Sequence, residues 1–166
     1  MPLLLRAEVT SGHGWASQMR AGDVAKLSAI NGEKLIDGSL NLISNSPVWL
    51  NARSAIYRNG SQIFWRASLE RMPVVLNRWA SCPAHVFEIF ATVHLRSALG
   101  LRDGNIVHLE IADEIISLSD ASLLNRVVWN FVWKYREKQI YRDGIYPSLL
   151  RSRFVRGYTW RSMQRP

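Results

Sequence analysis

Apolar and polar residues alternate through Leu3-Leu4-Leu5-Arg6-Ala7-Glu8-Val9-Thr10, the period-two pattern of a strand with one face in a core. The pattern returns in Asp37-Gly38-Ser39-Leu40-Asn41-Leu42-Ile43, where a turn pair opens a strand. Shorter strands are expected at Val48–Leu50, at Ala55–Tyr57 and, after the hairpin signal Asn59-Gly60, at Ile63–Trp65. Leu69–Leu76 and Trp79 continue the series of short strands and turns. Val86–Ala91 and Ile106–Ile111 complete it, separated by a turn or two of helix at Leu95–Leu99 and by the turn Asp103-Gly104. Met19–Leu27 has helical character and Asn31-Gly32 ends that region in a turn. Many short strands at close spacing predict a mainly β fold, a small barrel or sandwich.

Past Ile111 the period changes. Ser119 to Ser122 can cap a helix in which Leu123, Leu124, Val127, Val128, Phe131, Val132 and Tyr135 recur at helical spacing, with Trp129 and Trp133 on one side. Such a helix is expected to pack on the barrel or on a second subunit. The tail beyond Gly144 is basic, and Arg151, Arg153, Arg156, Arg161 and Arg165 are interleaved with Phe154, Tyr158 and Trp160. The expected division is therefore a β unit over 1–112 and a helical, basic extension over 113–166.

Composition refines this picture in two respects. Hydrophobic residues make up 48% of the 166, enough for one real core and against a disordered chain. A net charge of +8 points to an anionic partner without naming it: a nucleotide, a nucleic acid or an acidic surface. One cysteine, Cys82, gives neither an internal disulfide nor a multi-cysteine metal site. With no run near ~18 apolar residues and no signal-peptide core, the expected location is the cytoplasm.

Two stretches carry candidate chemistry. Ser39 and Asn41 lie two apart on a strand and so share a face, where a hydroxyl and a carboxamide oxygen can serve a hard cation such as magnesium. A solvated strand face is the ordinary alternative. Ser11-Gly12-His13-Gly14 follows a strand, and two glycines there let backbone amides approach an anion; a plain bend uses the same residues. It has neither the third glycine of a dinucleotide fingerprint nor the Gly-Lys-Ser/Thr of a P-loop. His13 and His94 have no third ligand at metal spacing.

Taken in order, three blocks resemble the CTP-dependent riboflavin kinases best known from archaea. They are Val9-Thr10-Ser11-Gly12-His13-Gly14, then Gly38-Ser39-Leu40-Asn41-Leu42 beside the family's Gly-Thr-Leu-Asn, then Glu88 through Gly104 with its Leu-Arg pair and Leu-x-Asp-Gly turn. The likeness spans about residues 4–112. It implies a six-stranded cradle-loop β-barrel that transfers the terminal phosphate of CTP to riboflavin, giving FMN and CDP with magnesium. By position, it implies a nucleotide site at Ser11, Gly12, His13, Gly14, Trp15, Ala16 and Val93, His94, Leu95, Arg96. It implies magnesium on Ser39 and Asn41, and the flavin, or a related small hydroxyl acceptor, at Glu88. Where the family's loop continues Glu-Gly, this chain has Trp15-Ala16, and where the family offers the flavin a hydroxyl it has Ala80, with Ser81 adjacent. The other reading is a non-catalytic barrel whose basic, aromatic tail binds nucleic acid or an acidic protein.

Overall fold

The computed structural model describes residues 1–12, 21–79, 82–117, 127 and 129–134. Seven strands form one antiparallel sheet: β1 (Leu3–Thr10), β2 (Leu40–Ser44), β3 (Tyr57–Asn59), β4 (Gln62–Leu69), β5 (Met72–Trp79), β6 (Val86–Phe90) and β7 (Ile106–Ile111). Their order is β3-β4-β5-β6-β2-β1-β7. Pairing of Ser68 with Glu110 and Leu69 with Leu109 joins β4 to β7. Six strands thereby close into a barrel, with β3 outside as a short addition to β4. Closure leaves no long unpaired edge on these six strands.

Period two fills the barrel. Leu5, Ala7 and Val9 of β1 meet Leu40 and Leu42 of β2, Trp65 and Leu69 of β4, Phe87 and Ile89 of β6 and Leu109 of β7 in one buried cluster. The indole of Trp65 is sealed inside, and its Nε1–H donates to the carbonyl of Asn51 at 2.8 Å, so its polar atom is satisfied.

Strands β4, β5 and β6 are apolar on their outer face as well. There Phe64, Val75 and Phe90 form a second cluster with Leu27 and Leu35. Leu27 belongs to α1 (Ala21–Asn31), which crosses this face. The expected helix over Met19–Leu27 thus runs four residues further, to Asn31. Gly32, at φ +81°, ends it in the left-handed region. Asp23 in its first turn accepts hydrogen bonds from the Tyr57 hydroxyl and Asn59 Nδ2, fastening the helix to β3.

Two local expectations change. Leu69 to Trp79 is not a run of short strands: β4 and β5 are eight-residue strands joined at Glu70-Arg71, both left-handed at φ 46° and 67°. Without glycine or asparagine this turn has no sequence signal. It is held by β7, because the amide of Glu70 donates to the His108 carbonyl while the Glu70 carboxylate accepts from the His108 amide at 2.7 Å. Val48–Leu50 makes one isolated bridge, Leu50 to Ile116, and Ala55–Ile56 precedes a strand that starts at Tyr57. Past β7, residues 113–117 pack on the barrel, as Ile115 is in the core cluster and the Ser117 amide donates to the Trp49 carbonyl.

One buried cation has no counterpart in the sequence reading. Arg78 on β5 is 2% exposed, stacks its guanidinium 4.3 Å from the Phe87 ring centre, and donates to the carbonyls of Val48, Ala84 and Val86. Burial pushes it down to about 10, so it stays charged at neutral pH. The helix expected over 123–135 lies outside the described residues except at 127 and 129–134, where Trp129–Trp133 is one turn of π-helix and the Trp129 ring meets that of buried His85 at 5.1 Å. The basic tail lies wholly outside them. Among the described residues no helix is long and apolar enough to cross a membrane.

Candidate functional site

A polar row crosses the outer face of the barrel beside α1. Register places Thr10 of β1 opposite Asn41, Asn41 of β2 opposite Glu88, Glu88 of β6 opposite Asn77, and Asn77 of β5 opposite Phe64. Odd and even positions explain it, since the neighbours Val9, Leu40, Leu42, Phe87, Ile89 and Leu76 all turn into the barrel. Glu88 is half-buried in this row and accepts a hydrogen bond from Asn77 Nδ2 at 2.9 Å. Burial raises its carboxyl above the ordinary carboxylate range, and the Asn77 bond partly offsets this.

The glycine loop enters at the other end of the row. Gly12 lies so close to Asn41 that a Cβ on it would stand 2.2 Å from Asn41 Nδ2 and 2.9 Å from Asn41 Cγ. The backbone at 12 is therefore laid against the Asn41 carboxamide, an approach that a larger residue blocks. Ser11 is fixed from a different direction. Its amide donates to Asp103 Oδ2 at 3.1 Å and its hydroxyl donates to the same oxygen. Arg96 donates to Asp103 Oδ1 at 2.7 Å and to the Thr10 carbonyl at 3.0 Å. The Ser11 hydroxyl, and after it Arg96, hold the Asp103 carboxyl below its usual value.

Ser39 stands just before β2, after Gly38 at φ +96°. Its Oγ is buried and has no hydrogen-bond partner among the described residues. The residue lines a cavity of about 300 Å³ whose walls are Ile36 to Leu40 on one side and Val93, His94, Leu95, Arg96 and Ser97 on the other, with Ile89 and Ala91 below. Two segments read separately from the sequence thus face one space. Asp37 is in that wall too; the sequence marked it only as a turn residue, since its partner wall comes from α2 (Leu95–Ala98), far along the chain.

Of the residues named from the sequence, Ser11, Gly12, Ser39, Asn41, Glu88 and Val93 to Arg96 fall on this face or in this cavity. His13, Gly14, Trp15, Ala16 and Ser81 lie outside the described residues. Asn77, absent from the sequence reading, is inseparable from Glu88; its apolar neighbours on β5 gave no signal.

Among the described residues no three His, Cys, Asp or Glu cluster to hold a metal. A neutral pair is a different donor set. An orphaned hydroxyl oxygen at Ser39 and a carboxamide at Asn41 suit a magnesium ion that keeps most of its waters and takes its negative charge from phosphates. The residues present fit that ion. No protein-family model matches the chain, and no curated protein matches it.

Proposed function

We propose that this barrel is a magnesium-dependent phosphotransferase of the CTP-dependent riboflavin kinase type, transferring the terminal phosphate of CTP to riboflavin. The observation that carries the reading is Ser39, which lines a cavity with Val93–Arg96 and whose buried Oγ has no hydrogen-bond partner among the described residues. It gains support from the Asn41 amide packed against the backbone of Gly12.

The reaction forms a bond from the primary ribityl hydroxyl oxygen to the terminal phosphorus and breaks the bond from that phosphorus to the bridging oxygen, releasing CDP. Such transfers need positioning and charge compensation more than covalent chemistry. The amides of the glycine loop orient the phosphates, and Arg96 supplies cationic charge at the cavity wall. Ser39 and Asn41 would hold magnesium, which when bound neutralises phosphate oxygens. Glu88 contacts the acceptor and takes the hydroxyl proton. Burial, which raises its pKa, makes its carboxylate a stronger base than an exposed one.

Calorimetry with CTP, ATP and riboflavin, with and without magnesium, tests the proposal, together with chromatographic detection of FMN. Magnesium-dependent nucleotide binding and FMN formation are expected. If neither nucleotide nor flavin binds, the proposal is wrong.

A further inference from the structure

The cavity beside Ser39 is apolar below and charged on both walls. Leu40, Ile89 and Ala91, all buried, line it from the barrel side, and Val93, 38% exposed, adds an apolar side chain to one wall. Arg96 puts a cation on that wall, and Asp37 puts a carboxylate on the other. Asp37 is exposed, so a ligand in the cavity can reach it without any rearrangement of the barrel. Arg96 suits the phosphates of a nucleotide, whereas Asp37 repels them. A nucleotide entering this cavity therefore turns its uncharged end toward Asp37. The apolar floor suits the face of a ring, and about 300 Å³ has room for a base with its sugar.

Building on the phosphotransferase reading above, we infer that Asp37 is the residue that selects the base, its carboxylate accepting a hydrogen bond from the exocyclic amino group of cytosine. A carboxylate accepts hydrogen bonds and donates none. Cytosine offers it an N–H, whereas uracil holds a carbonyl oxygen at the same place, so the contact turns into a repulsion between two acceptors. Selection thus comes from an unfavourable contact with the wrong base as much as from a favourable one with the right base. Gly38, at φ +96°, sets the turn between Asp37 and Ser39. One short segment thereby serves both ends of the nucleotide, Asp37 at the base and Ser39 at the phosphates.

The test titrates the whole protein with CTP and with UTP by calorimetry in excess magnesium. Wild type is expected to bind CTP about tenfold tighter than UTP. In Asp37→Asn the side chain can present either N–H or oxygen to the base, so the ratio of the two affinities should fall to about one. Loss of the negative charge favours both triphosphates alike, and the ratio therefore isolates the base contact. Asp37 is exposed, so the variant should keep the wild-type melting temperature. Equal affinities in wild type, or an unchanged ratio in Asp37→Asn, overturns the role of Asp37 and leaves the kinase reading standing. A carboxylate that met the ribose, which both nucleotides share, would give the first of these results. No binding of either nucleotide to wild type overturns both.

Discussion

Asp103 and Ser11 are 92 residues apart in the chain, yet the carboxylate of one receives both the amide and the hydroxyl of the other. The turn between α2 and β7 therefore anchors the start of the glycine loop, and through Oδ1 it orients Arg96 as well. In Asp103→Ala both the loop and the arginine lose their reference point. Because this pair is exposed, stability should fall by no more than about 1 kcal/mol. The Michaelis constant for CTP should rise about tenfold, with a smaller change in kcat, since the defect is in positioning an anion. A steady-state titration of CTP reads both; an unchanged Michaelis constant would show that the clamp serves the fold alone.

The Gly12–Asn41 approach makes a similar prediction at the proposed magnesium ligands. In Gly12→Ala the new Cβ displaces the Asn41 amide, which is the movable partner of the contact. Magnesium-dependent turnover should drop at least about tenfold, with the melting temperature nearly unchanged. Asn41→Leu should abolish magnesium-dependent turnover while the barrel stays folded. Circular dichroism with an FMN assay at several magnesium concentrations checks both, and full activity in Asn41→Leu would remove this residue from the metal shell.

Burial of Glu88 predicts two pH effects. Its folded carboxyl binds its proton more tightly than the unfolded one, so between the ordinary carboxylate pKa, about 4.3, and the raised folded value the native state holds more protons. Stability contributed by the neutral form is complete below that window and is lost as pH rises through it. Glu88→Gln, which cannot ionise, should flatten this decline in a urea-unfolding series across pH. Activity should move the other way, falling as pH drops through the same raised value, because a protonated Glu88 cannot take the hydroxyl proton.

Strand alternation made the barrel legible: β1 and β7 fall where the period-two pattern ends, and Leu40 and Leu42 point inward as Ser39 and Asn41 require. Turn chemistry was legible only where glycine marked it. Glu70-Arg71 adopts the conformation that Asn-Gly usually supplies, so the long hairpin read as fragments. The shared cavity of Ser39 and Arg96 was not legible from spacing, because strand order brings β2 beside β6 across more than forty residues. Asn77 and Arg78 were hidden in an apolar strand, where a polar residue is informative only once its partners are known.

That hairpin carries its own prediction. Arg71 is exposed and sits at φ 67°, where a side chain costs energy that glycine avoids. Its side chain makes no hydrogen bond or ion pair among the described residues, so Arg71→Gly should stabilise the protein by about 0.5–1 kcal/mol, a rise of roughly 1–4 °C in melting temperature. Glu70→Gly should behave oppositely despite its own positive φ, because it removes the carboxylate that accepts from His108. Thermal melts of the two variants distinguish backbone relief from side-chain loss.

Arg78 gives the largest expected effect on stability. Its guanidinium serves three carbonyls, of Val48, Ala84 and Val86, and lies over Phe87, so it ties β5 to β6 and to the segment after β2. Among the described residues no carboxylate pairs with it; the carbonyl dipoles and the ring face offset its charge. Arg78→Met keeps the apolar stem but leaves three buried acceptors unmet, at about 1–3 kcal/mol for each fully desolvated one. A total loss of at least about 3 kcal/mol is expected, read as a lower urea midpoint at constant slope. Arg78→Lys preserves the charge but not the planar fork, which alone reaches three directions at once, so it should recover less than half of that loss. Near-complete recovery by lysine would mean that charge, rather than the geometry of the three carbonyls, holds this end of the barrel.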